Sequence, residues 1–191
     1  NCAASLAHPG PRKYGEGPHN AGLALLPMTL LALWRTGKRS GFRSIFGAAI
    51  LLAAIPLTNW LSAFALAIAS GLLLLAAWGE PGFRVGRPLA AAGLAWLLAC
   101  FWLTPSFIAT IAFNWPADSF GYRFGPQQRS LLLALAVSVV AIRFLAGRLG
   151  ASFYFRFVVL CSFVFGWFAT AFYVYGIDTI PESRRYALEF E

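Results

Sequence analysis

Residues 45–78, IFGAAILLAAIPLTNWLSAFALAIASGLLLLAAW, decide the fold of this chain. The run carries no charge, and as one helix rising about 1.5 Å per residue it would overshoot a hydrocarbon core about 30 Å thick. It therefore reads as two passes. The break is expected at Pro56-Leu57-Thr58-Asn59-Trp60, where a helix-disrupting proline, two polar turn or cap formers and an interfacial tryptophan follow one another. That makes a tight hairpin with its tip at one membrane face. Just before it, Arg35-Thr36-Gly37-Lys38-Arg39-Ser40-Gly41-Phe42-Arg43 is the most basic stretch of the chain. Positive charge is retained on the cytoplasmic side, so the Thr58-Asn59 tip is expected on the extracytoplasmic side.

Composition agrees with a chain whose solvent is the bilayer. Of 191 residues, 59% are hydrophobic and 12% charged, with a mean hydropathy of +0.68, more apolar than an ordinary soluble domain. The formal charge of +8 would point to nucleic acid in a soluble protein. Here the basic residues flank apolar runs, where topology and anionic lipid account for them, and no nucleic-acid partner is expected. Cys2, Cys100 and Cys161 have no metal-type spacing and make no disulfide framework. The chain opens on Asn1 without a methionine and stops in a charged segment, which reads as a fragment of a longer protein. No cleavable signal peptide is visible.

Working outward, residues 1–20 read as an external loop rich in glycine and proline. Spans are expected near 21–34, kinked by Pro27 and open to extension from Pro18 as a first-turn proline, and near 42–57, 61–78, 89–104, 131–146 and 153–175. Ala63, Ala67 and Gly71 in the third, and Ala91, Ala95 and Ala99 in the fourth, recur four apart and predict faces of close helix approach. Residues 105–128 form an external loop in which 107–113 read as a re-entrant or interfacial segment. Residues 176–191 start a further external helix near Pro181 and Glu182. The expected fold is an all-α polytopic transmembrane bundle of about six spans with both ends extracytoplasmic, in a bacterial inner membrane. Arg35, Lys38, Arg39, Arg43, Arg84, Arg87 and Arg148 then lie in or beside inside loops, where Glu80 is the one acid. Arg156, near the start of the last span, reads as a side chain snorkelling to the interface, with no function assigned.

Polar groups other than the basic ones collect on the predicted external face, which makes that face the candidate site. Tyr14-Gly15-Glu16-Gly17-Pro18-His19-Asn20 is the most distinctive run, since its glycines let the backbone approach a ligand and bring Glu16 and His19 to the mouth of a span. The plainer reading is a helix-entry turn capped by His19 or Asn20. Glu16 and His19 have metal-pair spacing on a continuous helix, but Gly17-Pro18 argues against such a helix, and no metal ligand is assigned. Asn59 can present its amide to a substrate hydroxyl or simply cap the next helix. Asp118 and Arg123 can serve chemistry or form a surface ion pair. Arg184 and Arg185 beside Glu182 can grip a lipid phosphate or mark the membrane edge of a helix. The best catalytic candidates are Glu16, His19 and Asp118, with Tyr14, Asn59, Tyr122, Arg123, Arg184 and Arg185 as substrate contacts.

Those runs, with Leu57-Thr58-Asn59-Trp60, Ile111-Ala112-Phe113-Asn114, Gly121-Tyr122-Arg123-Phe124-Gly125-Pro126 and Pro181-Glu182-Ser183-Arg184-Arg185-Tyr186, resemble large bacterial multi-pass proteins. These in turn resemble the GT-C superfamily of polyprenyl-phosphate-sugar-dependent glycosyltransferases, including the group labelled as a membrane domain related to 6-pyruvoyl-tetrahydropterin synthase. The resemblance covers most of the chain through loose motifs. It implies a lipid-linked sugar phosphate as donor, membrane lipid as partner, and an external acidic residue acting as base or as ligand to a divalent metal ion. The family's Asp-Asp or Asp-x-Asp motif does not occur here, and is expected upstream of Asn1. Rival readings are a transporter or lipid flippase, which would carry ionisable groups deep in its spans, and an assembly subunit without chemistry.

Overall fold

In a computed structural model the structure describes residues 16–39, 41–102, 104–106, 125–177 and 179–180, with residues 16–20, 60 and 61 as backbone alone. The described residues form an all-α fold of six helices: α1 (Glu16–Lys38), α2 (Phe42–Thr58), α3 (Trp60–Ala77), α4 (Gly86–Ala99), α5 (Pro126–Arg148) and α6 (Phe153–Tyr175).

The hairpin turns on a single residue. Asn59 is extended (φ −158°, ψ 130°). Its N–H donates to Ile55 O at 3.1 Å and its carbonyl accepts from Ala63 N–H at 3.2 Å, so it closes α2 and opens α3. Pro56 is not the break. It lies inside α2, and the Thr58 hydroxyl, donating to Ile55 O at 2.7 Å, helps finish the last turn. Pro27 likewise lies within a continuous α1, where the Thr29 hydroxyl donates to Leu25 O at 2.8 Å.

The chain's N-terminal helix is longer than its apolar run. It starts at Glu16 and ends at Lys38, so Gly17 and Pro18 do not interrupt it: both fall in the first turn, where the backbone N–H groups have no helical acceptor and proline costs little. At the other end of the sequence α6 has both caps. The Ser152 hydroxyl accepts from Phe155 N–H, and Gly176 (φ 64°) lets its N–H reach Phe172 O at 2.9 Å while Ile177 N–H reaches Ala171 O at 3.0 Å.

Helix α2 lies between α1 and α4, α1 and α2 both touch α3, and α3 packs on α6, which carries α5. Two apolar cores follow. One joins Ala48, Ala49, Leu52 and Ile55 of α2 to Ala91, Ala95 and Ala99 of α4, so the predicted α4 stripe is an interface, its methyl-sized side chains permitting close approach. The other joins Ala65, Ala69, Leu72 and Ala76 of α3 to Leu160, Val164, Phe165 and Phe168 of α6. The stripe expected on α3 is on the wrong face: Ala67 and Gly71 are exposed, and a side chain at Gly71 would meet open space. Helix α3 is small-residue-rich on more than one face, and the packed face is set by the bulky side chains of α6.

The outer surface is apolar. Leu133, Val137, Val140, Phe144 and Leu145 of α5 are each about three-fifths exposed or more. Helices α5 and α6 are long and apolar enough to cross a membrane, and only 11% and 28% of their most apolar stretches are buried inside the fold. Helix α2 and Ser62–Ala77 of α3 are shorter apolar helices.

Candidate functional site

The charged side chains among the described residues, apart from Arg129 near the start of α5, gather at one end of the bundle. The ends of α1, α3 and α5 and the starts of α2, α4 and α6 meet there because cross-links tie their loops together. Lys38 Nζ donates to Pro81 O at 2.6 Å, and Arg84 N–H donates to Gly37 O at 3.0 Å. Gly37 is required for this contact, since a methyl at that position would overlap the Phe83 ring. Behind it the Thr36 hydroxyl, fully buried, sits 2.9 Å from the Ser44 hydroxyl and joins α1 to α2.

Glu80 is the centre of the cluster. One carboxylate oxygen accepts from Arg156 Nη2 at 2.5 Å and the other lies 3.9 Å from Lys38 Nζ. Arg156 is buried and also donates from Nε to Ser152 O at 3.4 Å. Arg156 is therefore not a snorkelling side chain. It is half of the buried ion pair that fixes the start of α6 to the α3–α4 loop. An aromatic stack adjoins the pair through Lys38: Trp34 stacks on Phe153 with centroids 3.6 Å apart and on Phe83 at 5.2 Å, and Lys38 Nζ lies 4.9 Å over the Trp34 ring.

Arg143 closes the same end. Its guanidinium donates to Leu75 O at 2.8 Å and to Trp78 O, two carbonyls at the C-terminus of α3, where a cation both satisfies unpaired acceptors and opposes the helix dipole. Gly147, one turn on, leaves the space the guanidinium fills. Both carboxylate oxygens of Glu80 are engaged, one by Arg156 and the other near Lys38. The cluster's chemistry is that of a fastening, with further guanidinium groups left over to meet anions.

Of the residues picked from sequence as a site, Asn59 is described, at the opposite end of the bundle from Glu80, half-buried in the hairpin turn. Glu16 and His19 fall in the first turn of one continuous helix, contrary to the expectation that Gly17-Pro18 separates them, with their backbone alone described. Tyr14, Asp118, Tyr122, Arg123, Arg184 and Arg185 lie outside the described residues, as does the 107–113 segment. Among the described residues no three His, Cys, Asp or Glu side chains come together as metal ligands, and no step is assigned to a metal. The Glu80–Arg156 pair was missed because its partners are 76 positions apart. Its signal was arithmetic: one acid among the loops expected to lie inside, and one arginine within the last apolar run.

No protein-family model, curated protein or solved structure matches this chain.

Proposed function

We propose that the chain is a multi-pass protein of the cell membrane, its six helices spanning with the Glu80 end in the cytoplasm and both chain ends extracytoplasmic. The observation that carries this is the division of the surface: large apolar side chains point outward along α4, α5 and α6, while Arg35, Lys38, Arg43, Arg84, Arg87, Arg148 and Arg156 collect at one end. In water such a surface would aggregate, and in a bilayer it is the favourable one. The short helices α2 and α4 cross within a bundle whose longer members α5 and α6 set the thickness.

On the extracytoplasmic side the chain forms part of a GT-C-like glycosyltransferase that uses a lipid-linked sugar phosphate. The support is the resemblance carried by Tyr14-Gly15-Glu16-Gly17-Pro18-His19-Asn20 and the loop motifs, and the commitment of the cytoplasmic carboxylate Glu80 to Arg156 and Lys38, which leaves acid–base work to Glu16, His19 or Asp118. Arg123, Arg184 or Arg185 would neutralise the donor's phosphate.

The test is transfer of labelled sugar from polyprenyl-phosphate donors in membranes holding the full-length protein. Transfer lost in Glu16→Gln or Asp118→Asn and retained in Arg87→Gln supports the reading. Equal transfer with and without the protein, across a panel of donors, overturns it and moves transport or assembly to the front.

A further inference from the structure

Helices α1 and α2 enclose a shallow groove of about 320 Å³ on the outer surface of the bundle. Its walls are Met28 and Leu31 of α1 and Gly47 and Leu51 of α2, and at the basic end it is lined by Arg35 and Arg43. From Met28 to Arg35 it follows about 10 Å of helix axis. Gly47 keeps it open: a methyl built there would project into space with no other atom within 4 Å.

Charge at the head of the groove is uncompensated. Arg35 and Arg43 are both exposed, and among the described residues neither pairs with a carboxylate, since Glu80 is engaged by Arg156 and Lys38. Two guanidinium groups above an apolar channel select a ligand with an anionic head and a hydrocarbon tail. Guanidinium matches phosphate oxygens bidentately, and the methionine and leucine walls match an acyl chain.

We propose that this groove binds one anionic phospholipid, its phosphate between Arg35 and Arg43 and one acyl chain against Met28, Leu31, Gly47 and Leu51. The inference rests on the membrane reading above, and it goes further by naming the leaflet, the lipid charge and the residues. The lipid belongs to the leaflet at the Glu80 end, where a negative surface potential attracts basic side chains. Bound there, it bridges the last turns of α1 to the first of α2.

Delipidated full-length protein in detergent, titrated with phosphatidylglycerol or phosphatidylcholine and read by native mass spectrometry, tests it. The wild type should take up one phosphatidylglycerol with roughly tenfold or greater preference over phosphatidylcholine. The Arg35→Gln/Arg43→Gln variant should lose that preference. Gly47→Leu places a side chain in the channel, where a methyl at that position meets no other atom, and should weaken both lipids, while Arg84→Gln/Arg87→Gln, equally basic but outside the groove, should leave the preference intact. Equal uptake of the two lipids, or equal loss in the Arg84/Arg87 variant, overturns the proposal while leaving the protein in the membrane. Recovery of the protein in the soluble fraction without detergent overturns the membrane reading itself, and the groove proposal with it.

Discussion

Arg156, in the first turn of α6, holds Glu80 of the α3–α4 loop at 2.5 Å, with 10% of the arginine side chain and 23% of the carboxylate side chain exposed. This contact joins a helix start to a loop 76 positions away in sequence and sets where α6 begins relative to α3. Partly buried pairs of this kind gain little over an apolar substitute but are costly to break one-sidedly.

Glu80→Gln should therefore destabilise the protein by on the order of 3 kcal/mol, because it leaves the Arg156 charge buried without an anion. Arg156→Met alone should cost less than Glu80→Gln, and the Glu80→Gln/Arg156→Met double variant should recover most of the loss. Thermal unfolding in detergent, arranged as a double-mutant cycle, measures the coupling. Additive losses would show that the two residues act independently.

Trp34 bears on the same pair through its stacks with Phe153 and Phe83 and its contact with Lys38. Trp34→Ala should cost about 3 kcal/mol, and Trp34→Phe appreciably less, since a smaller ring keeps part of the stack. The intrinsic melting temperature of each variant decides between these outcomes and a Trp34 that merely sits at the surface.

Gly37 has no room for a side chain under the Phe83 ring. Gly37→Ala should displace the 79–85 loop at a cost of about 1–3 kcal/mol, despite alanine's better helix propensity. Faster trypsin cleavage at Arg84 or Arg87 in the variant is the expected sign. Unchanged or slower cleavage would mean that the loop is not anchored on α1.

Arg143 ties α5 to α3 by donating to Leu75 O and Trp78 O. Arg143→Met keeps an apolar stem but leaves the carbonyls at the end of α3 unsatisfied, and should cost about 2 kcal/mol. Hydrogen exchange should quicken in the last turns of α5 and α3 and stay unchanged in the α2–α4 pair, which shares no contact with Arg143.

How much of this was legible in the sequence depends on the range of each signal. The hairpin was legible because Thr58 and Asn59 interrupt an apolar run locally, and the Ala91, Ala95, Ala99 face because α4 has a single small-residue stripe. The start of α1 was legible in part: Pro18 reads as a first-turn proline that extends the apolar run, and it is one, whereas the expectation that Gly17-Pro18 separates Glu16 from His19 fails because both residues are harmless in a first turn. On α3 the Ala63, Ala67, Gly71 stripe competes with Ala65, Ala69 and Ala76, and residues of α6 decide which is covered. Nothing local distinguishes them. The Glu80–Arg156 pair was unreadable residue by residue for the same reason, as its geometry exists only after α3 and α6 have packed. Of the candidate site, Asn59 and the helical backbone at Glu16 and His19 came within the described residues.

The central claim is that the Glu80 end and the Asn59 end face opposite sides of a membrane. Cysteine accessibility tests it most directly: Arg84→Cys and Ser106→Cys, each placed singly in the full-length protein with its native cysteines replaced, and probed with a membrane-impermeant maleimide in intact cells and in inverted vesicles. The account predicts labelling of position 106 in intact cells alone and of position 84 in inverted vesicles alone. Labelling of both positions from the same side, or release of the protein from the membrane by alkaline carbonate, would contradict it.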